Sequence, residues 1–387
     1  MHPAFIVYRK ELTDALRDRR TLLVVLMSSV LLGPLVLVAL SVFIATFESR
    51  AEQREVHVVG IEHAPTLANF LERQTYTIKK APPDYEQRLR AQKYADPVVV
   101  IPPDFEAGLV NGDAPIVEVI SDSANRQASG SAGRIQRLLR GFNRERATLH
   151  LAMRGVAAEL VEPMQLEERD LASTQTRATQ FTGMLPFFVM LAVLYGALNA
   201  ALDTTAGERE RGSLEPLLMN PAERVSLVLG KWGAVASLGM LIAVLSSLSF
   251  IPAQWLLRSD TLAAMFQYGW REALLFLAVL LPFAAALSAV LMAVAIRCKS
   301  FKEAQASTAV LVLGISMLPL VQIFQQTGEE PWQWWVPALA QQTLMTRVLR
   351  GEGFSVEQVV VPLVVCVGLS VMGIVFVGRM LRVAAVR

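Results

Sequence analysis

The 387-residue chain is short of charge: Asp, Glu, Lys and Arg make up 18% of it, against 53% hydrophobic residues. Charged side chains are missing altogether between Arg20 and Glu48, Arg177 and Asp203, Lys231 and Arg258, Glu272 and Arg297, Glu303 and Glu329, and Glu357 and Arg379. Each gap exceeds the roughly 20 residues with which a helix crosses about 30 Å of hydrocarbon, whereas a buried helix of a water-soluble domain seldom needs more than about 14 apolar residues. The scarcity excludes a soluble globular protein and predicts an α-helical membrane protein with about six transmembrane helices.

Cysteine is nearly missing too. Cys298 and Cys366 are the only two, and neither lies in the long hydrophilic stretch 48–177, so no disulfide framework holds that stretch. His2, His57, His63 and His150 have no zinc-ligand spacing, and no metal site is expected. No G-x-x-x-x-G-K-[ST] loop occurs, since Gly230-Lys231 runs into Trp232 without the upstream glycine, so ATP has no cradle on this chain. With no H-E-x-x-H helix, and with Gly130 to Gly133 at the wrong spacing for G-x-S-x-G, catalytic residues are lacking as well. The chain reads as no enzyme and as binding no cofactor. Its expected spans hold no acidic or basic group, which favours energy supplied from outside the membrane over an ion relay within it. Tyr195 and Asn199 within the second span and Asp203 at its inner end lie four apart and share a helical face. That face lines an inner vestibule or makes helix-to-helix hydrogen bonds, and the sequence leaves both open.

Present instead is a patterned placement of the basic residues. Arg9, Lys10, Arg17, Arg19 and Arg20, then Arg209, Arg211, Arg224 and Lys231, then Arg297, Lys299 and Lys302, and finally Arg379, Arg382 and Arg387 fall in one alternating set of flanks. The other set holds Arg258, Arg271, Arg347 and Arg350. The positive-inside rule then puts both termini in the cytoplasm and 48–177 outside it. Basic residues gathered at helix ends, with a net charge of +2, form no stripe for nucleic acid. The first apolar run is too long for a signal peptide and is expected to stay as a helix.

The resulting layout is a cytoplasmic amphipathic elbow helix over 1–20, a first span over 21–47, an extracytoplasmic domain over 48–177 and a second span over 178–202. A cytoplasmic loop over 203–231 follows, then spans over 232–257, 273–296, 304–327 and 358–378 and a cytoplasmic tail over 379–387. In the elbow, Phe5, Tyr8, Leu12 and Leu16 recur at helical spacing, with Lys10, Asp14, Arg17 and Asp18 turned elsewhere. Between the fifth and sixth spans, 331–350 reads as an outer interfacial helix that lies in or dips into that interface, with a poor extra span as the alternative. Trp332, Trp334 and Trp335 fit an aromatic belt before it, and Gln341 and Gln342 interrupt its apolar residues.

The hydrophilic stretch alternates β-branched runs at 56–61, 76–79, 98–101 and 116–120 with helical patterns at 67–73, 84–93 and 104–110, which predicts a small mixed α/β domain between the first and second spans. A longer helical pattern, with Ile135, Leu138, Leu139 and Phe142 in phase, runs through 123–160 with a break at Gly155. It is a stalk or a hairpin by sequence.

Most of the functional information lies in 203–231. Glu208-Arg209-Glu210-Arg211-Gly212 alternates charge densely, and Asn220-Pro221 with Glu223 predicts a capped helix start. On pattern alone this is a solvated loop or a structured element for a soluble partner. The run Glu208 to Pro221, followed by Gly230-Lys231 and preceded by the amphipathic Lys10-Glu11-Leu12 start, resembles the permease subunits of type-2 ABC exporters, most closely the sodium-efflux (Nat-type) permeases. That resemblance implies a bacterial inner-membrane exporter subunit that pairs with itself or a homologue among membrane lipids. Two copies of a separate ATPase would bind ATP and Mg. It further implies ATPase contact through Lys10, Glu11, Glu208, Arg209, Glu210, Arg211, Gly212, Leu214 and Glu215. Related permeases carry lipids, peptides or drugs, and a non-transporting membrane sensor whose outer domain binds a ligand is the alternative from another class.

Overall fold

The computed structural model describes residues 2–17, 19–52, 54–91, 94, 96–122, 126–157, 173–213, 223–266, 268–320 and 329–384. Helix dominates. The chain divides into two compact units, one formed by Met1–Ala45 with Leu171–Arg387 and the other by Thr46–Asp170. It opens with α1 (Pro3–Arg17) and α2 (Arg19–Glu52).

In the Thr46–Asp170 unit the order is β1 (Glu55–Val59), α3 (Pro65–Arg73), β2 (Thr77–Lys80), α4 (Tyr85–Arg90), β3 (Val98–Val100), α5 (Phe105–Asn111), β4 (Glu118–Ile120) and α6 (Arg126–Met153). The sheet order is β2-β1-β3-β4; β1 runs parallel to β2 and β3, and β4 antiparallel to β3. Strand alternation sends Val56 and Val58 to one face, where they meet Leu67, Phe70 and Leu71 of α3 and Ile135 and Phe142 of α6. The long helix is thus part of the domain core along its first half, which decides against a free stalk there. It ends where the break was expected: Gly155 has φ +69° and Val156 N donates to Leu151 O at 2.9 Å, a left-handed stop that glycine adopts without a Cβ clash.

The other unit continues with α7 (Thr174–Thr182), α8 (Leu185–Leu202), a π turn over Asp203–Gly207, α9 (Glu208–Glu210), α10 (Arg224–Ala253), α11 (Asp260–Met265), α12 (Trp270–Ala295), α13 (Phe301–Met317), α14 (Leu339–Arg350) and α15 (Val356–Ala384). Among the described residues four helices are long and apolar enough to cross a membrane: Leu185–Glu210, Arg224–Leu256, Trp270–Ala295 and Val356–Arg382. They fall on the second, third, fourth and sixth expected crossings. Of the first, α2 supplies the shorter apolar run Val30–Thr46. Of the fifth, α13 supplies Phe301–Met317, and 321–328 lie outside the described residues.

Helix α12 lies at the centre, burying Phe276, Leu280, Phe283, Leu287 and Leu291 at three- and four-residue spacing against α8, α10 and α15. Two local expectations change. First, the helical part of the 331–350 stretch packs into the bundle. Its helix α14 buries Gln341 and Gln342 along with Leu339 and Met345; Gln341 Oε1 accepts Ala338 N at its own N-cap at 2.8 Å, and Gln342 Nε2 donates to Gly183 O at 3.4 Å. Second, Trp334 is buried, whereas Trp332 and Trp335 are exposed. These residues form a 3-10 turn, in which positions three apart eclipse, so Trp332 and Trp335 share one side and Trp334 faces inward under the Arg347 guanidinium, 5.7 Å from the ring centroid. At the start of α10, Glu223 stands at the N-cap without a side-chain cap bond. Asn220 and Pro221 lie outside the described residues.

Candidate coupling site

The charged tetrad Glu208 to Arg211 is held at the end of a continuous helix. Thr204 Oγ1 donates back to Ala200 O at 2.8 Å and Thr205 Oγ1 to Ala201 O within the π turn. Such a turn adds a residue to one helical repeat and rotates everything beyond it. The helix then stops at Gly212, whose φ of +69° sets up two closing bonds, Ser213 N to Glu208 O at 3.1 Å and Gly212 N to Arg209 O at 3.2 Å. This pairing satisfies two carbonyls that a helix end otherwise leaves orphaned.

Each charge of the tetrad has a different partner. Glu208 turns inward and is 8% exposed; its Oε2 lies 2.5 Å from Lys231 Nζ and its Oε1 3.7 Å from Lys10 Nζ. Arg209 Nη1 donates to Cys298 O at 3.1 Å, just past the C-terminus of α12, where a cation complements the helix dipole. Glu210 Oε2 accepts Phe301 N at 2.6 Å at the N-terminus of α13, the end that favours an anion. Arg211 Nη2 pairs with Asp203 Oδ1 at 3.6 Å, back across the π turn. One turn therefore ties together α8, α10, α12 and α13.

It also ties in α1. The apolar stripe of that helix leaves Phe5 and Leu16 about half exposed, as a helix lying on a membrane face would. The adjacent face, with Val7, Tyr8 and Glu11, packs on α10. Contact there is backbone-close, since a Cβ added at Gly230 would lie 2.7 Å from Ala4 O and 2.7 Å from Val7 Cβ. Tyr8 Oη meets Ser237 Oγ at 3.1 Å. Glu11, 5% exposed, accepts Lys231 Nζ at 3.1 Å and Lys10 Nζ at 3.1 Å. Lys231 also donates to Thr204 O at 3.1 Å, so its ammonium joins α1, the π turn and α9. Burial alone pushes the Glu11 carboxyl up, but the Lys231 and Lys10 ammoniums outweigh it and hold it below the usual carboxylate range. Partial burial opposes the charged form of Lys10, and Glu11 and Glu208 more than offset this, raising its pKa.

Beside this cluster lies a cleft of about 500 Å³, walled by α1, the end of α8 and α10. Of the three residues read as one face, Asn199 and Asp203 line the cleft, while Tyr195 is 52% exposed and outside its lining. Leu214 and Glu215 lie outside the described residues. The residue that sequence reasoning passed over as a site is Lys231. Its signal was there: a lone ammonium about two turns inside a helix that then runs uncharged to Arg258 is costly unless carboxylates enclose it.

The arrangement fastens helices to one another electrostatically. Among the described residues no three His, Cys, Asp or Glu side chains group as metal ligands would. The family model of the ABC-2 family transporter proteins matches residues 25–379. The chain is 26% identical over 329 residues, covering 84% of this chain and 83% of the relative, to the ABC transporter permease protein NatB of Bacillus subtilis (strain 168). A membrane-spanning bundle, a turn fastened to four of its helices and a match over most of the length agree, and this chain belongs to the ABC-2 transporter family, as a permease subunit of an ABC transporter.

Proposed function

We propose that this chain is the transmembrane half of an ATP-driven exporter whose ATPase is a separate polypeptide holding ATP and Mg. In this reading the Glu208–Ser213 turn and α1 face the cytoplasm of a bacterial inner membrane, both termini lie on that side, and the Thr46–Asp170 unit lies on the other. Two copies, or this chain and a homologue, pair in the lipid and carry two ATPase subunits. The observation that carries the proposal is the buried contact of Glu208 with Lys231, which links the turn to α1 and α10 in one rigid knot. A soluble motor pressing on the exposed residues Arg211 and Gly212 would move several spans at once, because buried paired charges resist separation. Sodium is the cargo that the resemblance to Nat-type permeases favours.

The test is co-purification of the full chain with ABC ATPase subunits co-expressed from the same genome. Arg211→Glu, at a side chain 71% exposed, is expected to abolish association while leaving the thermal midpoint of the permease within a few degrees. Purification without any ATPase, or an association indifferent to Arg211→Glu, counts against the proposal and favours a sensor.

A further inference from the structure

Helix α1 meets the bundle with one side. Val7 and Tyr8 lie against Gly230 and Gly233 of α10, and Glu11 reaches Lys231. That contact sits near one end of a long helix. Arg224–Leu256 has 33 residues, about 50 Å at about 1.5 Å per residue, against about 30 Å of hydrocarbon, so several turns stand outside the apolar slab. The charges of Arg224 and Lys231 mark the end that emerges, since from Lys231 the chain runs uncharged to Arg258. α1 is thus held where a span leaves the membrane. Its opposite side is open: Phe5, Ile6 and Leu16 are 51%, 56% and 45% exposed, and with Leu12 they surround Arg9, itself exposed, at helical spacing. Arg17, also exposed, lies on the same side about two turns on. Neighbouring Lys10 is engaged by Glu11, Asp14 and Glu208. Arg9 and Arg17 make no ion pair among the described residues.

Water alone would leave three large apolar side chains wet on one face. Acyl chains alone would strip the guanidiniums of hydration without replacing it. A free phosphate answers the arginines and gains nothing from Phe5, Ile6 and Leu16, and a zwitterionic headgroup brings a cation of its own to compete with them. An anionic phospholipid satisfies both halves, because its headgroup offers an uncompensated phosphate to a forked guanidinium and its acyl boundary receives the apolar residues. We propose that the open face of α1 binds the headgroups of anionic phospholipids, with Arg9 and Arg17 on the phosphates and Phe5, Ile6 and Leu16 sunk to the acyl boundary. This binding needs a membrane-spanning chain and is independent of the exporter reading.

The test uses the full chain with Thr13→Cys, an exposed position on the same face, labelled with an environment-sensitive fluorophore while Cys298 and Cys366 stay buried. It is placed in nanodiscs of phosphatidylcholine with a rising fraction of phosphatidylglycerol. The label is expected to shift saturably with that fraction, and Arg9→Gln to move the half-point about fivefold higher, the scale of one cationic side chain at an anionic surface. Arg9→Lys should keep most of the response, and the double variant Arg9→Gln with Arg17→Gln should no longer saturate. A label that ignores phosphatidylglycerol, or a double variant that responds like the parent, overturns the proposal. So does an equal response to soluble glycerol phosphate added to phosphatidylcholine discs, which would mark a site for free anions. A parent blind to lipid charge, with a double variant that loses its ATPase, would also overturn it and assign the arginines to the motor. A chain that answers to phosphatidylglycerol but binds no ATPase keeps this inference and loses the exporter reading.

Discussion

Lys231 Nζ lies 2.5 Å from Glu208 Oε2 and 3.1 Å from Glu11 Oε1, with the lysine side chain 3% exposed and the carboxylates 10% and 5%. Two residues that are 23 positions apart in the chain, with a third 220 positions from the lysine, thus share one desolvated contact. Removing one member of such a contact is far worse than never having built it, because the remaining charges stay buried.

Lys231→Met is therefore expected to destabilise the permease by about 3–5 kcal/mol, the range for an uncompensated buried charge. The double variant Lys231→Met with Glu208→Gln removes one charge of each sign and should recover part of that loss. Thermal unfolding in detergent reads both. A single variant that melts with the parent would show the contact to be unimportant.

Acid should loosen α1. The Glu11 carboxyl is held below its unfolded range, so its contribution is fully present above about pH 4.5 and is lost as pH falls through its folded value. Lys10 behaves oppositely: its raised pKa gives a contribution complete below about pH 10.5, lost only as pH rises through the folded value. Between those limits stability should be flat in pH as far as these two groups go. The thermal midpoint of the parent should drop below pH 4.5 more steeply than that of Glu11→Gln, and parallel acid limbs would contradict the assignment.

Gly230→Ala places a methyl 2.7 Å from Ala4 O and Val7 Cβ, too close to be absorbed by a side-chain rotation since one neighbour is backbone. Helix α1 must shift away from α10, at a cost of about 1–3 kcal/mol by the usual scale of overpacking. Limited proteolysis should then cut within Pro3–Arg17 sooner than in the parent, and ATPase association should weaken with it. Unchanged digestion would mean that the close approach is not needed.

Four of the six expected apolar spans were legible because the bilayer imposes a length and a composition that no soluble core requires. Strands at Glu55–Val59, Thr77–Lys80, Val98–Val100 and Glu118–Ile120 were legible within a few residues, because β-branched runs set off from helical patterns leave few alternatives. Trp334 was misplaced since spacing in a short 3-10 turn separates adjacent tryptophans to opposite sides, and nothing in a run of aromatics announces that turn. The burial of Gln341 and Gln342 was not legible, because polarity alone does not say whether a partner carbonyl waits inside the bundle.

By itself the sequence determined that this chain lives in a membrane, that its long hydrophilic stretch folds as a mixed α/β unit, and that Glu208 to Arg211 is a dense, ordered charge pattern. Those are properties of local composition and period, which act over one helix or strand at a time. Only the tertiary structure decided which of those charges face inward. The π turn at Asp203–Gly207 sets the rotation of Glu208, and Gly230 admits α1 closely enough for Glu11 to reach Lys231. Both depend on how helices distant in sequence meet, and the cost of burying a charge is settled only by what lies within a few ångströms of it.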